Sequence, residues 1–244
     1  MGVSLPAAHE KTAAVEAMFD RISADYDRMN RLMTFGMDAS WRRHTIAALD
    51  LAQGDRAVDV GCGTGDLSLA CATAGASTVG VDRSSGMLTH ASRRRDSERE
   101  NHKDVTVDFV RADAQALPLA NASVEAFVSG FALRNFTDLG VALDEAARVL
   151  ADGGRIALLE VDTPPFFLLR VGHRFWFNFA VPLLGRLFAD PEAYSYLPKS
   201  VVYLPPGAEL EAMLERRGFA QVKKKRLMFG AVQLLTAIRL RIDE

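Results

Sequence analysis

The sequence predicts an α/β fold: a mostly parallel seven-stranded sheet, helices on both faces, and an antiparallel hairpin at the C-terminus. Three observations predict it. Short β-rich runs alternate with helix-length runs between residues 56 and 161, the pattern of βαβ units. The first β-rich run passes directly into glycines (AVDVGCGTGD, 57–66), as chains do where a strand turns into a helix at a ligand-bearing sheet edge. Two further β-rich runs, AQVKKKRLMFG and AVQLLTAIRLRI, close the chain around a turn at Gly230.

Taken in order, residues from about His9 to Leu49 read as helices. Val15, Met18, Phe19 and Ile22 recur at helical spacing, YDRMNRLMTFG runs to a stop at Gly36, and Asp38 is placed to cap ASWRRHTIAALDL. Strands are expected at AVDV, STVGV (77–81), VTVDFV (105–110), VEAFVSG (124–130) and RIALLEV (155–161). Between them DLSLACATA, SGMLTHASRRR and DLGVALDEAARVL read as helices, the last ended by the glycines at 152–154. RRRDSERENHK (93–103) is mixed in sign and reads as a solvated helix end or loop. PPGAELEAMLERRGF is a helix closed by Gly218.

Composition excludes several classes. With 29 basic and 31 acidic side chains the net charge is −2, which argues against wrapping duplex nucleic acid. Cys62 and Cys71 are too few for a disulfide framework, and MGVSLPAAHEKTAAVEAMFDRI holds no apolar stretch of secretory length, so a reducing, cytoplasmic location is expected. The most apolar stretch, Pro164 to Phe188, is interrupted by Arg170, His173 and Arg174 and is too broken to span a bilayer. It is suited to lie on one, or to line a greasy pocket.

The glycine loop discriminates among ligands. Gly61, Gly63 and Gly65 let backbone approach a ligand where no Cβ intrudes. A dinucleotide site wants G-x-G-x-x-G with a helix N-terminus free for a pyrophosphate; here the spacing is G-x-G-x-G and Asp66 occupies the helix start. No Gly-Lys-Ser/Thr follows, against a P-loop. Asp59 and Asp66 instead suit a cationic, phosphate-free ligand such as the ammonium and sulfonium of S-adenosylmethionine. Asp82, closing the second strand, is placed for ribose hydroxyls, and Asp113 with the Ala114 backbone for an adenine edge. For each acid singly, a cap or turn role is the alternative.

Four longer segments resemble, in order, those of the ubiquinone/menaquinone biosynthesis C-methyltransferases: YDRMNRLMTFGMDASW (26–41), FALRNFTD (131–138), ARVLADGGRIALLE (147–160) and AYSYLPKSV (193–201). The resemblance runs from about Val15 to Ile238 and implies a Rossmann-like class I methyltransferase using S-adenosylmethionine. It implies one methyltransferase domain over 1–244, divided into a helical cap (1–50), a cofactor-binding core (51–161), an aromatic substrate-binding insertion (162–206) and a terminal helix with hairpin (207–244). Thr64, Asp82, Asp113 and Ala114 stand at the family's cofactor contacts; Gly130, beside Ser129, stands where the family commonly has Ser or Thr. The sequence departs from the pattern at Asp152, at Val161-Asp162 and in lacking the C-terminal histidine.

The same resemblance places Arg134 and Asn135 at the catalytic element. An arginine is hardly ever neutral, so stabilising a phenolate or ordering a water suits it better than taking a proton. The alternative is that Arg134 pairs with Asp138 and merely caps a helix. Tyr26 is placed to close over the site, and Tyr194 and Tyr196 to border the acceptor, with plain packing as the other reading. Trp41 reads as a core anchor and Cys62 as a small side chain. The five histidines form no ligand-spaced cluster, so no metal is expected. The expected acceptor is a lipophilic quinol, most simply demethylmenaquinol. Other readings are another aromatic phenol, or a partner protein that binds cofactor without turnover. Peripheral membrane contact, the arginines at 170, 174 and 186 included, and a homodimer are open expectations; no nucleic-acid partner is expected.

Overall fold

The computed structural model describes residues 10–101, 104–176, 179, 181–188 and 190–240, without the side chains of residues 173, 174 and 186–188. The readings that rest on residues 1–9, on His102 and His173, and on the Arg174 and Arg186 side chains lie outside the described residues.

Seven strands form one sheet in the order β3-β2-β1-β4-β5-β7-β6. These are β1 (Arg56–Val60), β2 (Ser77–Asp82), β3 (Val107–Arg111), β4 (Val124–Gly130), β5 (Leu150–Val161), β6 (Phe219–Leu227) and β7 (Val232–Arg239). β1 to β5 run parallel; β7 alone is antiparallel to its neighbours and sits between β5 and β6. The chain order reverses at β1, so the loops after β1 and β4 diverge over a crevice, the place where open α/β sheets bind ligands.

Helices α1 (Lys11–Ile22), α2 (Tyr26–Thr34) and α3 (Asp38–Leu49) precede the sheet; α4 (Asp66–Thr73), α5 (Ser85–Asn101) and α6 (Leu139–Val149) connect the parallel strands. α7 (Phe167–Phe175), α8 (Val181–Phe188) and α9 (Pro191–Ser200) form the insertion, and α10 (Gly207–Glu215) leads into the hairpin. α6 is typical of the local logic. Asp138 accepts from the Val141 N–H at its start, and Ala142, Leu143, Ala146 and Val149 share the face buried on the sheet. α3 and α4 cover the other face through Trp41, Leu49, Leu67 and Cys71. A third core, Met18, Ile22, Met29, Val181, Tyr194 and Tyr196 among it, joins the cap to the insertion above the sheet's carboxyl edge.

Two boundary readings change. Asp38 is the first residue of α3 rather than its cap, because its carboxylate is taken by the Thr34 hydroxyl at 3.0 Å and by Arg42 at 2.6 Å. α6 ends at Leu150, which is already extended, and the following glycines form a bulge inside β5, where Gly153 has φ +73°. The glycines therefore bend a strand and do not stop a helix. The mixed-sign run continues α5 to Asn101.

Candidate active site

The glycine loop turns on three residues with positive φ: Gly61 (+71°), Gly63 (+55°) and Gly65 (+85°). A Cβ at Gly61 would sit 2.4 Å from the Ala132 Cβ, so only glycine lets the β1 and β4 loops approach this closely. The loop is fastened by Asp82, whose two oxygens accept the Gly63 N–H at 2.8 Å and the Ser84 N–H at 2.9 Å. Burial raises the Asp82 carboxyl above the usual range, and those backbone bonds pull it back.

A cleft opens beside the loop, lined by Gly61, Gly63, Asp82, Asp113, Ala114, Gly130 and Asn135, with Tyr26 above. Each Asp82 oxygen keeps a second lone pair for a hydroxyl. Asp113 accepts from Arg83 at 2.5 Å and from the Gln115 N–H at 2.9 Å, which holds it at the cleft wall. Gly130 admits no Cβ without meeting Leu67 at 2.7 Å, and Ser129 points the other way, donating to the Val60 carbonyl at 2.7 Å. A glycine-walled floor, an acid at the second strand's end and a polar edge after the third suit an adenosyl group, and these residues fit one.

Two residues expected in the cleft and one expected beside the acceptor lie elsewhere. Asp59 is 1% exposed beneath the loop, where its Oδ2 accepts from Ser68 at 2.6 Å and its Oδ1 has no partner. Thr64 is buried and donates to Asp27 at 2.6 Å, tying the loop to α2 instead of lining the cleft. Tyr194 is fully buried in the third core, its Cβ pressed against Gly185, so it borders no acceptor. The electrostatic reading of the loop also changes. Asp66 is held by Arg42 and Arg94, each at 2.6 Å, so its charge is spent on guanidinium groups from α3 and α5.

Burial pushes the Asp59 carboxyl up to about 7. An unfolded aspartate loses its proton near pH 4. Between these values the folded chain keeps a proton that the unfolded chain has released, so stability falls as pH rises through that window. The wild-type melting temperature is expected to drop more from pH 5 to pH 8 than that of Asp59→Asn, which cannot titrate; thermal melts across this range with equal slopes would overturn the assignment.

A second cavity, about 390 Å³ and mostly apolar, adjoins the cleft. The two share Tyr26 and Phe131 as walls. Phe131 has φ +57°, an unfavourable backbone for a bulky residue, and this turn carries its ring to the junction and 5.9 Å from Trp41. Trp41 thus serves the core and the cavity together.

The charged side chains lining this cavity are Asp38, Arg42 and Arg134, and Arg134 is the one paired with a residue of the sheet. It is 7% exposed and pairs with Glu160, which is completely buried at the end of β5. Asp138 caps α6, so the alternative pairing with Arg134 does not form. Glu160 Oε1 also accepts the Val161 N–H at 2.8 Å, which fixes the carboxylate and, through it, the guanidinium. Arg134 Nε and Glu160 Oε2 are buried without a partner. Asn135 faces the cleft, and Tyr196, buried, donates to it over a long 3.4 Å. Tyr196 therefore braces Asn135 from behind and does not wall the cavity. Its phenol is pushed up to about 12 by burial, against the pull of Arg134. Burial also raises the Tyr26 phenol, opposed by its bond with Asn30 and by Arg134 and Arg42.

Glu160, the partner of Arg134, is the residue that the sequence did not single out; the available signal was an acid directly after the apolar run IALL. Cys62 is buried and its thiol is raised by burial, which fits a small packing residue. Among the described residues no three His, Cys, Asp or Glu side chains are grouped to hold a metal.

Sheet order, glycine turn and the acids after β2 and β3 define a Rossmann-like methyltransferase of class I. The chain belongs to the ubiE/COQ5 methyltransferase family, whose model matches residues 7–239. A demethylmenaquinone methyltransferase of Roseiflexus castenholzii is 40% identical over 238 residues, covering 96% of this chain and 97% of that one. A ubiquinone/menaquinone biosynthesis C-methyltransferase UbiE of Syntrophotalea carbinolica is 38% identical over 91% of this chain and 92% of its own. The fold is shared with Haemonchus contortus phosphoethanolamine N-methyltransferase 2 in complex with S-adenosyl-L-methionine, at TM-score 0.58 and 15% identity, over 82% of this chain and 53% of that one.

Proposed function

We propose that this protein methylates a ring carbon of a polyprenylated demethyl-quinol, most simply demethylmenaquinol, in the cytoplasm. The observation that carries this reading is the meeting of two dissimilar compartments at Tyr26 and Phe131. One is a cleft floored by Gly61, Gly63 and Gly130 and edged by Asp82 and Asp113, shaped for an adenosyl group; the other is a more strongly apolar cavity with the buried guanidinium of Arg134. S-adenosylmethionine supplies an electrophilic methyl group when bound.

The chain's own residues supply alignment and charge. Asp82, Asp113 and Ala114 hold the adenosine end, while Gly61, Gly63 and Gly130 leave room at the β1–β4 crevice. Met33, Trp41, Leu197 and Val232 supply apolar surface to the acceptor ring and tail, worth about 25 cal/mol per Å² removed from water. Arg134 stabilises the negative charge that a quinol hydroxyl gains as its proton leaves, in a cavity where water screens little. Glu160 keeps the guanidinium in one place, and Asn135 spans from this charge to the cleft. Ring attack then needs proximity more than acid–base strength.

The change at Asp162 does not require a different acceptor. Its carboxylate pairs with Lys224 at 2.7 Å and accepts the Thr163 N–H at 2.8 Å, so it clamps the end of β5 to β6. Purified protein is expected to methylate reduced demethylmenaquinone faster than a demethylated benzoquinol or unrelated phenols, read by mass spectrometry. Faster transfer to an unrelated phenol would replace the quinol reading, and no transfer to any acceptor despite cofactor binding would refute it.

A further inference from the structure

α7 is apolar on two sides. Leu168, Leu169, Gly172 and, just beyond the helix, Trp176 face the acceptor cavity. Phe167, Val171 and Phe175 follow at i, i+4 and i+8, line neither the cleft nor the acceptor cavity, and are 74%, 50% and 64% exposed. Phe166 and Phe179, at 70% and 64%, extend this stripe, and the Phe175 and Phe179 rings lie 5.3 Å apart. A helix apolar around most of its circumference is normally buried; here one side has only solvent.

The rim of the cavity repeats the pattern. Phe35 after α2, Leu168 of α7 and Phe229 in the β6–β7 turn are 66%, 81% and 80% exposed, yet all three line the cavity. Three separate chain segments therefore bring exposed apolar side chains to one opening. The first part of the insertion carries charge of one sign: from Thr163 to Ala189 the sequence holds three arginines and no Asp or Glu. Along β6, which leads to the Phe229 turn, Lys223, Lys225 and Arg226 are exposed and take part in no ion pair among the described residues.

We infer that the Phe167–Val171–Phe175 face of α7, with the cavity rim, docks on a lipid bilayer bearing anionic headgroups, so that the acceptor passes from lipid into the cavity without crossing water. The inference rests on the quinol reading for the cavity's occupant but not for the surface itself. Apolar side chains supply burial into the acyl boundary, and Arg170, Lys225 and Arg226 meet the headgroups. A second copy of the chain is the competing occupant, and an insertion with arginines but no Asp or Glu between residues 163 and 189 speaks against a face that must match itself.

The full chain is expected to sediment with phosphatidylcholine vesicles, and more strongly when phosphatidylglycerol is added in equal amount. The triple variant Phe167→Gln, Val171→Gln, Phe175→Gln keeps helix-forming residues and leaves the cavity lining intact. It is expected to lose vesicle affinity by about tenfold or more, to turn over a tailless soluble quinol at the wild-type rate, and to lose turnover of a long-tailed quinol held in vesicles. Equal sedimentation of variant and wild type would overturn the inference. So would a wild-type dimer in solution that the variant dissolves, with no vesicle binding. Vesicle binding abolished by the variant, but no methylation of either quinol by the wild type, would support the lipid surface and reject the quinol reading alone.

Discussion

Arg134→Ala is expected to lower kcat by about a hundred- to a thousandfold, with little change in S-adenosylmethionine affinity. The guanidinium borders the acceptor cavity and not the adenosyl cleft, so the loss should fall on the chemical step. Stability should fall too, because the substitution removes the cation paired with the fully buried Glu160, a change that costs about 3–5 kcal/mol. The two effects can be separated. In Arg134→Met with Glu160→Gln, neither charge remains, and glutamine's amide oxygen can still accept the Val161 N–H. This double variant should regain most of the melting temperature while remaining as slow as Arg134→Ala. Recovery of turnover along with stability would show that Arg134 only held the fold together.

The second large effect is expected at Asp82. Asp82→Asn keeps the size of the side chain but replaces one acceptor oxygen with an amide donor, directly opposite a backbone N–H that now donates to carboxylate. The loop anchor at Gly63 or Ser84 and one hydroxyl acceptor are lost together. A hydrogen bond to a charged group is worth about 1.5–3 kcal/mol, so the dissociation constant for S-adenosylmethionine should rise about ten- to a hundredfold by calorimetry. At saturating cofactor, kcat should stay near wild type, since Asp82 lies at the adenosine end. A normal dissociation constant would remove Asp82 from the site.

Much of this was legible in the sequence because it is local. A glycine triplet directly after a short apolar run specifies a strand, a tight turn and an open floor, and no distant contact can supply what a Cβ would take away. Acids and polar residues at strand ends, Asp82, Asp113 and Asn135, reach the carboxyl edge by topology alone. What was hidden depends on partners far apart in the chain. Asp66 reads as a bare charge until Arg42 and Arg94 converge on it. Arg134 has an acid four residues ahead, but its actual partner is 26 residues away on the neighbouring strand. Asp59 and Tyr194 show a different limit: their residue types suit a site, but the faces on which they stand turn them into the interior, and facing is decided by packing. The aromatic stretch gave its chemistry but not its division. Only the placement of α7 shows which rings line the cavity and which meet solvent.

On the function proposed above, the methyl group crosses from the cleft to a ring carbon in the cavity beside Arg134. The direct test is the product made from demethylmenaquinol with S-adenosylmethionine carrying a carbon-13 methyl group, read by NMR. The expected result is a labelled methyl on a ring carbon, formed about a hundredfold or more slowly with Arg134→Ala. A labelled methoxy group, or no labelled quinone while cofactor binds normally, would contradict it.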